Sequence, residues 1–451
     1  MKMRSLAIAL ALLLCAGVIY AEEGDTGDVS AQPTEDFTPP EDEPGLGFGL
    51  GLLFGSQTIN GVNYNTIRLQ PDLKFGLFGI GLDLNIEFDG EGNFRVEEWN
   101  TWQAILSKFL YISWGEKHRP DLSPVYAKIG SIDDFTLGHG LIMYRYSNML
   151  NYPAVKKLGF AFDLDLTHFG FESMVDNIFD FDVLGIRLFY RPLVGTQIPI
   201  VRNLEVAGTI VADLDPKNPT PPAETPYEFT NHPDSEAVVV YGFDIGLPIL
   251  DTFIFSMKTY IDLIIINGQG TGEVFGIAGN IVKFIPYKLE ARIFQPNFLP
   301  VYFDSFYDST RSVKYQKLEE ITEGYAGWLF SSGLNILPNK ETGNPMIIWA
   351  LAIEGAFDDT INPTLTMDFI LARELLMNKF GIKFRWVRQD IVEFKNIFEY
   401  EDVNSIMFLD MEYYISDNLA ITLHYKRTFE VNQLGVIEPF TSTTVSTRID
   451  F

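Results

Sequence analysis

The sequence predicts an all-β chain, a closed antiparallel transmembrane β-barrel of about 18 to 20 strands behind a disordered N-terminal tail. Three observations carry this. Apolar and polar residues alternate with a period of two over most of the length, as a strand with one greasy and one wet side requires. Beyond Ala21 no run of ~18 uncharged apolar residues occurs, so no helix is available to cross a bilayer. The spacing between predicted strands alternates between short and long, as turns and loops do at the two rims of such a barrel.

Residues 1–21 carry Lys2 and Arg4, an apolar run from Leu6 to Leu14, and Ala21 before Glu22, the layout of a cleavable export signal. Cys15, the one cysteine, falls inside that signal, and Leu14 before it does not fit a lipid-anchoring site. With the signal gone no thiol remains, so neither disulfides nor thiolate metal sites hold the exported chain together. Residues 22–44 hold nine acids, no Lys or Arg, and four prolines, and such a segment buries too little apolar surface to order itself. The formal charge of −27 makes nucleic acid and acidic membrane surfaces poor partners.

From residue 45 to 451 the strands follow one another. Gly45 to Gly55 sets Leu46, Phe48, Leu50, Leu52 and Phe54 against glycines. Tyr64 to Phe75 contains Pro71, which suggests a bulge. Ile80 to Phe88 puts Ile80, Leu82, Leu84, Ile86 and Phe88 on one face and Asp83, Asn85 and Glu87 on the other, the lumen side. Lys157 to Leu166 repeats the form, with Asp163 and Asp165 facing the lumen. Further strands follow up to Phe440–Phe451, FTSTTVSTRIDF, whose Val445, Ile449 and Phe451 share a face. Counting Gln103 to Trp114, Val125 to Gly130 and Gly138 to Ser147 gives 21, an odd number at odds with the even-strand habit of single-chain bacterial barrels. Residues 97–110 also read as a helix with Trp99, Trp102, Leu106 and Phe109 on one stripe, so the surplus is assigned there first. Leu337 to Pro345 is longer than its place in the alternation of links predicts.

The densest polar stretch lies between Glu116 and Lys157. Ser131 to Asn148 is expected to fold into the lumen as a constriction, with Asp133, Asp134, His139 and Arg145 setting its field; the bland alternative is an ordinary hairpin. Catalysis is not expected. The five histidines stand at no metal-ligand spacing, no GxSxG elbow or P-loop occurs, and His139 and Ser147 on one extended strand would lie ~26 Å apart. No cofactor or metal is expected either.

The signal, the acidic tail, the segment GSIDDFTLGHGLIMYRYSNMLNYP from Gly130 to Pro153 and the terminal Phe451 together resemble the large outer-membrane barrel proteins of spirochaete-type bacteria. That resemblance implies a place in the outer membrane and no particular substrate. A chain ending on Phe451 after an alternating strand also resembles the signal read by the barrel assembly machinery. The expectation is a monomeric or trimeric, porin-like channel for passive diffusion of small solutes, with a preference for cations. Two alternatives stand beside it. One is a surface-binding or adhesive barrel using Asp213 to Glu236 and Gln295 to Gly324, the other a transporter of hydrophobic compounds.

Overall fold

The computed structural model of the chain describes residues 46–59, 62–95, 99–117, 123–150, 156–196, 198, 200–217, 236–252, 254–339, 345–358, 361–416, 419–431 and 437–450. The export signal, the acidic tail and Phe451 lie outside them.

Among the described residues twenty antiparallel strands, one of them in two pieces, form a single sheet. Strand β1 is Leu46–Ile59 and β2 is Val62–Phe75. Strand β3 comes in two pieces, Phe78–Leu82 and Leu84–Asp89, both paired with β2. Next are β4 (Phe109–Trp114), β5 (Val125–Gly130), β6 (Gly159–Asp165), β7 (Phe169–Val175) and β8 (Val183–Tyr190). After them come β9 (Glu205–Asp213), β10 (Val238–Asp251), β11 (Ser256–Ile266), β12 (Thr271–Ile281) and β13 (Ile285–Phe294). The series continues with β14 (Tyr325–Pro338), β15 (Pro345–Ala356), β16 (Thr364–Leu371) and β17 (Phe380–Arg388). It ends with β18 (Ser405–Ser416), β19 (Leu419–Val431) and β20 (Ile437–Asp450).

Each strand pairs with the next, and β20 returns to β1 with Gly49 opposite Asp450, Leu50 opposite Ile449 and Gly51 opposite Arg448. Closure of this kind removes the open edges that would otherwise seek another chain. The register carries the alternation around the ring. Arg187 lies opposite Thr209, Thr209 opposite Gly242 and Gly242 opposite Ile264, all on the inner face. Between them on the outer face stand Leu188, Phe243, Ile261 and Leu263, all exposed. A wall of bare aliphatic and aromatic side chains is stable where lipid, not water, is the outer solvent. No helix among the described residues is long and apolar enough to cross a membrane.

Among the described residues two α-helices lie in the links, α1 at Trp102–Leu106 and α2 at Tyr307–Glu320. Gln103 to Trp114 therefore splits into the end of α1 and strand β4. The surplus strand is Gly138 to Ser147 instead, which leaves the wall altogether. Its backbone explains why: Gly138, Gly140 and Arg145 all adopt positive φ, which a continuous strand does not accommodate. Wide links, at 90–108, 131–158, 214–237, 295–324 and 389–404, gather at one rim. Short ones, such as 76–77, 166–168 and 282–284, gather at the other. On that second rim 191–204 departs from the rule more strongly than 339–344 does.

Candidate functional site

The interior is occupied on one side. Residues 131–149 turn inward after β5 and run beside the wall, held as a narrow loop by backbone bonds between Phe135 and Tyr146 (2.9 and 3.0 Å). Lys117, from the link at the opposite rim, lies 3.8 Å from the Phe135 ring centre, so the loop reaches well down the lumen. A second inward stretch, from the link 295–324, meets the first. Phe303 N–H donates to the Ile142 carbonyl (3.1 Å) and Tyr144 N–H to the Phe303 carbonyl (3.0 Å). Ile132, Phe135, Leu137, Ile142, Met143 and Tyr146 from the first stretch, with Phe298, Tyr302, Phe303 and Tyr307 from the second, form one apolar core. Small inner-face residues make room for it: a side chain at Gly242 would stand 2.5 Å from Ile142 Cδ1.

A buried charge cluster fastens these pieces to the wall. Arg311 of α2 bridges Asp182 (2.7 Å) and Asp213 (2.8 Å), and Lys157 bridges Asp176 (2.8 Å) and Asp308 (2.7 Å). Tyr146 donates its hydroxyl to Asp308 (3.0 Å), and Tyr307 donates to Asp213 (2.6 Å). Burial works against charge on Lys157, but the two carboxylates outweigh it and hold the ammonium above its usual range. Buried pairs of this kind are stable only when every partner is in place.

The residues expected to form the constriction divide. Asp133 accepts from Lys128 (2.9 Å), and Asp134 pairs with Arg145 (3.1 Å); the two carboxyl side chains are 37% and 38% exposed, so they stand on the accessible side of the inward loop. His139 does not join them. Its Nδ1 lies 3.0 Å from Asp262 on β11 and its ring stacks on Tyr260 at 4.1 Å, which makes it a contact between loop and wall. With a cation beside each exposed carboxylate, the preference for cations expected from the acidic composition has no support in this geometry.

The inner-face residues of β3 and β6 are engaged in ion pairs more than in free water. Asp83 sits between Arg68 (2.5 Å) and Lys156 (2.7 Å). Glu87 takes Arg95 at 2.7 Å and accepts from Asn85 at 2.5 Å. Asp165 holds the fork of Arg191 (2.7 and 3.1 Å). Both oxygens of Asp163 are buried without a hydrogen-bond partner among the described residues. Sequence reasoning missed Arg187, Asp244, Asp262 and Arg311. For Arg187 a signal existed, a lone arginine at an inner position of the otherwise apolar LGIRLFY, whereas Arg311 sits in a link with no period to place it.

From β14 round to β20 the inner face is polar and stays partly wet. Asp368 pairs with Arg385 (2.6 Å), Lys383 with Glu412 (3.7 Å) and Asp410 with His424 (2.9 Å). Lys383 and Glu354 keep 34% and 46% of their side-chain surface, far above the values behind the inward loop.

No family model matches the chain, and no curated protein does. Among solved structures it is similar to OpdQ of Pseudomonas aeruginosa, at 9% identity and a TM-score of 0.33 over 90% of this chain and 93% of that one. It is similar also to the outer membrane protein OprD of Pseudomonas aeruginosa, at 8% identity and a TM-score of 0.34 over 96% and 97%. A third is OccD3 (OpdP) of Pseudomonas aeruginosa, at 11% identity and 0.31 over 96% and 95%. These are distant likenesses, and the barrel assignment rests on the strand pairing described above. None of them points to the spirochaete-type group that the segment from Gly130 to Pro153 resembles.

Proposed function

We propose that the chain is an outer-membrane channel for passive diffusion of small polar solutes, conducting along the wet side of the lumen past Asp133, Asp134 and Arg145. One observation carries this reading: a closed ring with an apolar outer face encloses an interior whose polar side chains, from β14 to β20, keep contact with water. A wall that served only as an anchor would have no need of that second, wet face. The wide links then face outward from the cell and the short turns inward, the usual arrangement of such barrels.

A channel is favoured over a serine-type enzyme because, among the described residues, no serine hydroxyl is hydrogen-bonded to His139, whose Nδ1 faces Asp262, and the Ser147 hydroxyl meets the Met149 N–H (3.1 Å) instead. Adhesion by the wide links is weakened by the course of 295–324, whose Phe298, Tyr302 and Tyr307 are buried in the lumen; 218–235 lies outside the described residues. Planar-bilayer recording of the purified full chain tests the proposal. Discrete conductance steps and swelling of liposomes in small sugars are expected, and a reconstituted, folded barrel that gives neither would overturn it.

A further inference from the structure

We propose that His139, Asp244 and Asp262 form a binding site for one divalent transition cation of the zinc class, at the seam between the inward loop and the wall. One imidazole nitrogen with two carboxylate oxygens is a donor set that such ions accept. Asp244 and Asp262 are cross-strand neighbours on β10 and β11, His139 comes from the inward loop more than 100 residues earlier, and one donor atom from each lies within 4.8 Å of the others. His139 Nδ1 stands 3.0 and 3.2 Å from the two oxygens of Asp262. Donors sharing one zinc ion at ~2.0–2.2 Å and a tetrahedral angle are about 3.3–3.6 Å apart, so this pair is near that spacing and Asp244 needs only a small swing.

Three independent features point to an ion and not to a packing accident. First, Asp244 and Asp262 are only 6% and 7% exposed, and with His139 they line a cavity of about 10 Å³ of water-sized space beside Thr209 and Gly242. That is room for about one water or ion. Second, the surrounding charge is unbalanced. Asp244, Glu172 and Glu205 gather on Arg187, Asp165 and Glu205 on Arg191, and Asp262 adds a further carboxylate. Lys288 also stands here, 3.4 Å from the His139 carbonyl and paired with Glu290 (2.8 Å), yet carboxylates still outnumber the cationic side chains around the site, and a further cation would ease their enclosure. Third, the imidazole is held in place beforehand. Gly138 (φ +57) and Gly140 (φ +79) shape the turn that presents it, and Tyr260 stacks against its face at 4.1 Å.

A bound ion would join the inward loop to β10 and β11 at the loop's midpoint. The site requires only the fold, so it stands or falls separately from the conduction reading.

The test is calorimetric titration of the folded full chain in detergent with Zn²⁺, at near-neutral pH and with Mg²⁺ in excess to occupy exposed acids. A single saturable site is expected. Loss of a ligand costs at least what loss of a supporting residue does, so His139→Gln and Asp262→Asn should each weaken it about tenfold or more. Asp134→Asn, outside the site, should bind as the parent does. X-ray absorption of the zinc-loaded chain should report one imidazole nitrogen among oxygens. Absence of a saturable site, unchanged affinity in His139→Gln, or a zinc shell without nitrogen would each overturn the proposal. If Asp262→Asn fails to fold, as heat-modifiable migration would reveal, His139→Gln decides alone, because that residue lies on the loop and not in the wall.

Discussion

The stretch of wall from β6 to β13 and the stretch from β14 round to β20 are built of the same alternating strands, yet they enclose different interiors. In the first, Val183, Val211, Val240 and Ile264 point inward and are sealed beneath the inward loop and the link 295–324. In the second, inner positions hold Glu354, Asp368, Lys383, Arg385 and Asp410, still touched by water. Their outer faces do not differ in kind: Leu188, Phe243 and Ile261 on one, Phe380, Tyr413 and Val445 on the other, all exposed. Lipid dictates the outer face of every strand, whereas the inner face is free to be core or water. Whether a barrel is filled is therefore written only in its inner positions.

The same contrast orders the energetics. Ion pairs on the packed side are enclosed, so removing one partner leaves a buried charge, while pairs on the wet side are screened and contribute little. Arg311→Met should give the largest effect, a loss of roughly 3–5 kcal/mol in the stability of the inward assembly. Hydrogen exchange should accelerate across 131–149 and 301–318 and leave β16 and β17 as they were. Equal acceleration on both sides would mean that the barrel unfolds as one unit and that the two regions are not energetically distinct.

Next in size is a test of the outer face. Leu188→Arg puts a cation into lipid and should cost about 2–4 kcal/mol near the midplane. Lys426→Leu, at an exposed inner position of β19, should change stability by less than about 1 kcal/mol. Urea unfolding in lipid vesicles measures both. Comparable losses would show that the two faces have been assigned the wrong way round.

How much of this was legible beforehand follows from the same division. The outer face is periodic, so Ile80 to Phe88, Val183 to Arg191 and the stretch around Val445 announce their strands by alternation, while the closure of β20 on β1 is seen only in the strand pairing. The expected range of 18 to 20 strands was met at its upper limit. The inward loop was legible in part. Its glycines, its acids and its His139 marked it as unusual, and an inward fold was weighed against an ordinary hairpin. Its short alternating pieces, however, such as Leu141, Met143 and Arg145, also imitate a strand, so one strand too many was counted. What holds it was hidden. Arg311 and Asp182 are 129 residues apart, and so distant a pair carries no local pattern. His139, Asp244 and Asp262 likewise meet only because two strands and a distant loop bring them together, which no spacing rule for neighbouring ligands can detect.

The smallest effect on stability is expected where the two regions meet, on the accessible side of the inward loop. Arg145 and Asp134 are part exposed at 19% and 38%, so Arg145→Ala should alter folding stability by no more than about 1 kcal/mol. Its effect should appear in conduction instead. Without the guanidinium the Asp134 carboxylate faces the route alone, so the reversal potential under a salt gradient should move toward cations. Asp134→Asn, which takes away the carboxylate at 3.1 Å from Arg145, should move it toward anions. Opposite shifts from two members of one pair are hard to obtain from a distant structural change, because such a change has no reason to follow the sign of the removed charge. Identical reversal potentials in the parent chain and both variants would place the route away from this loop, and the wet side of the lumen would then conduct without a charged constriction.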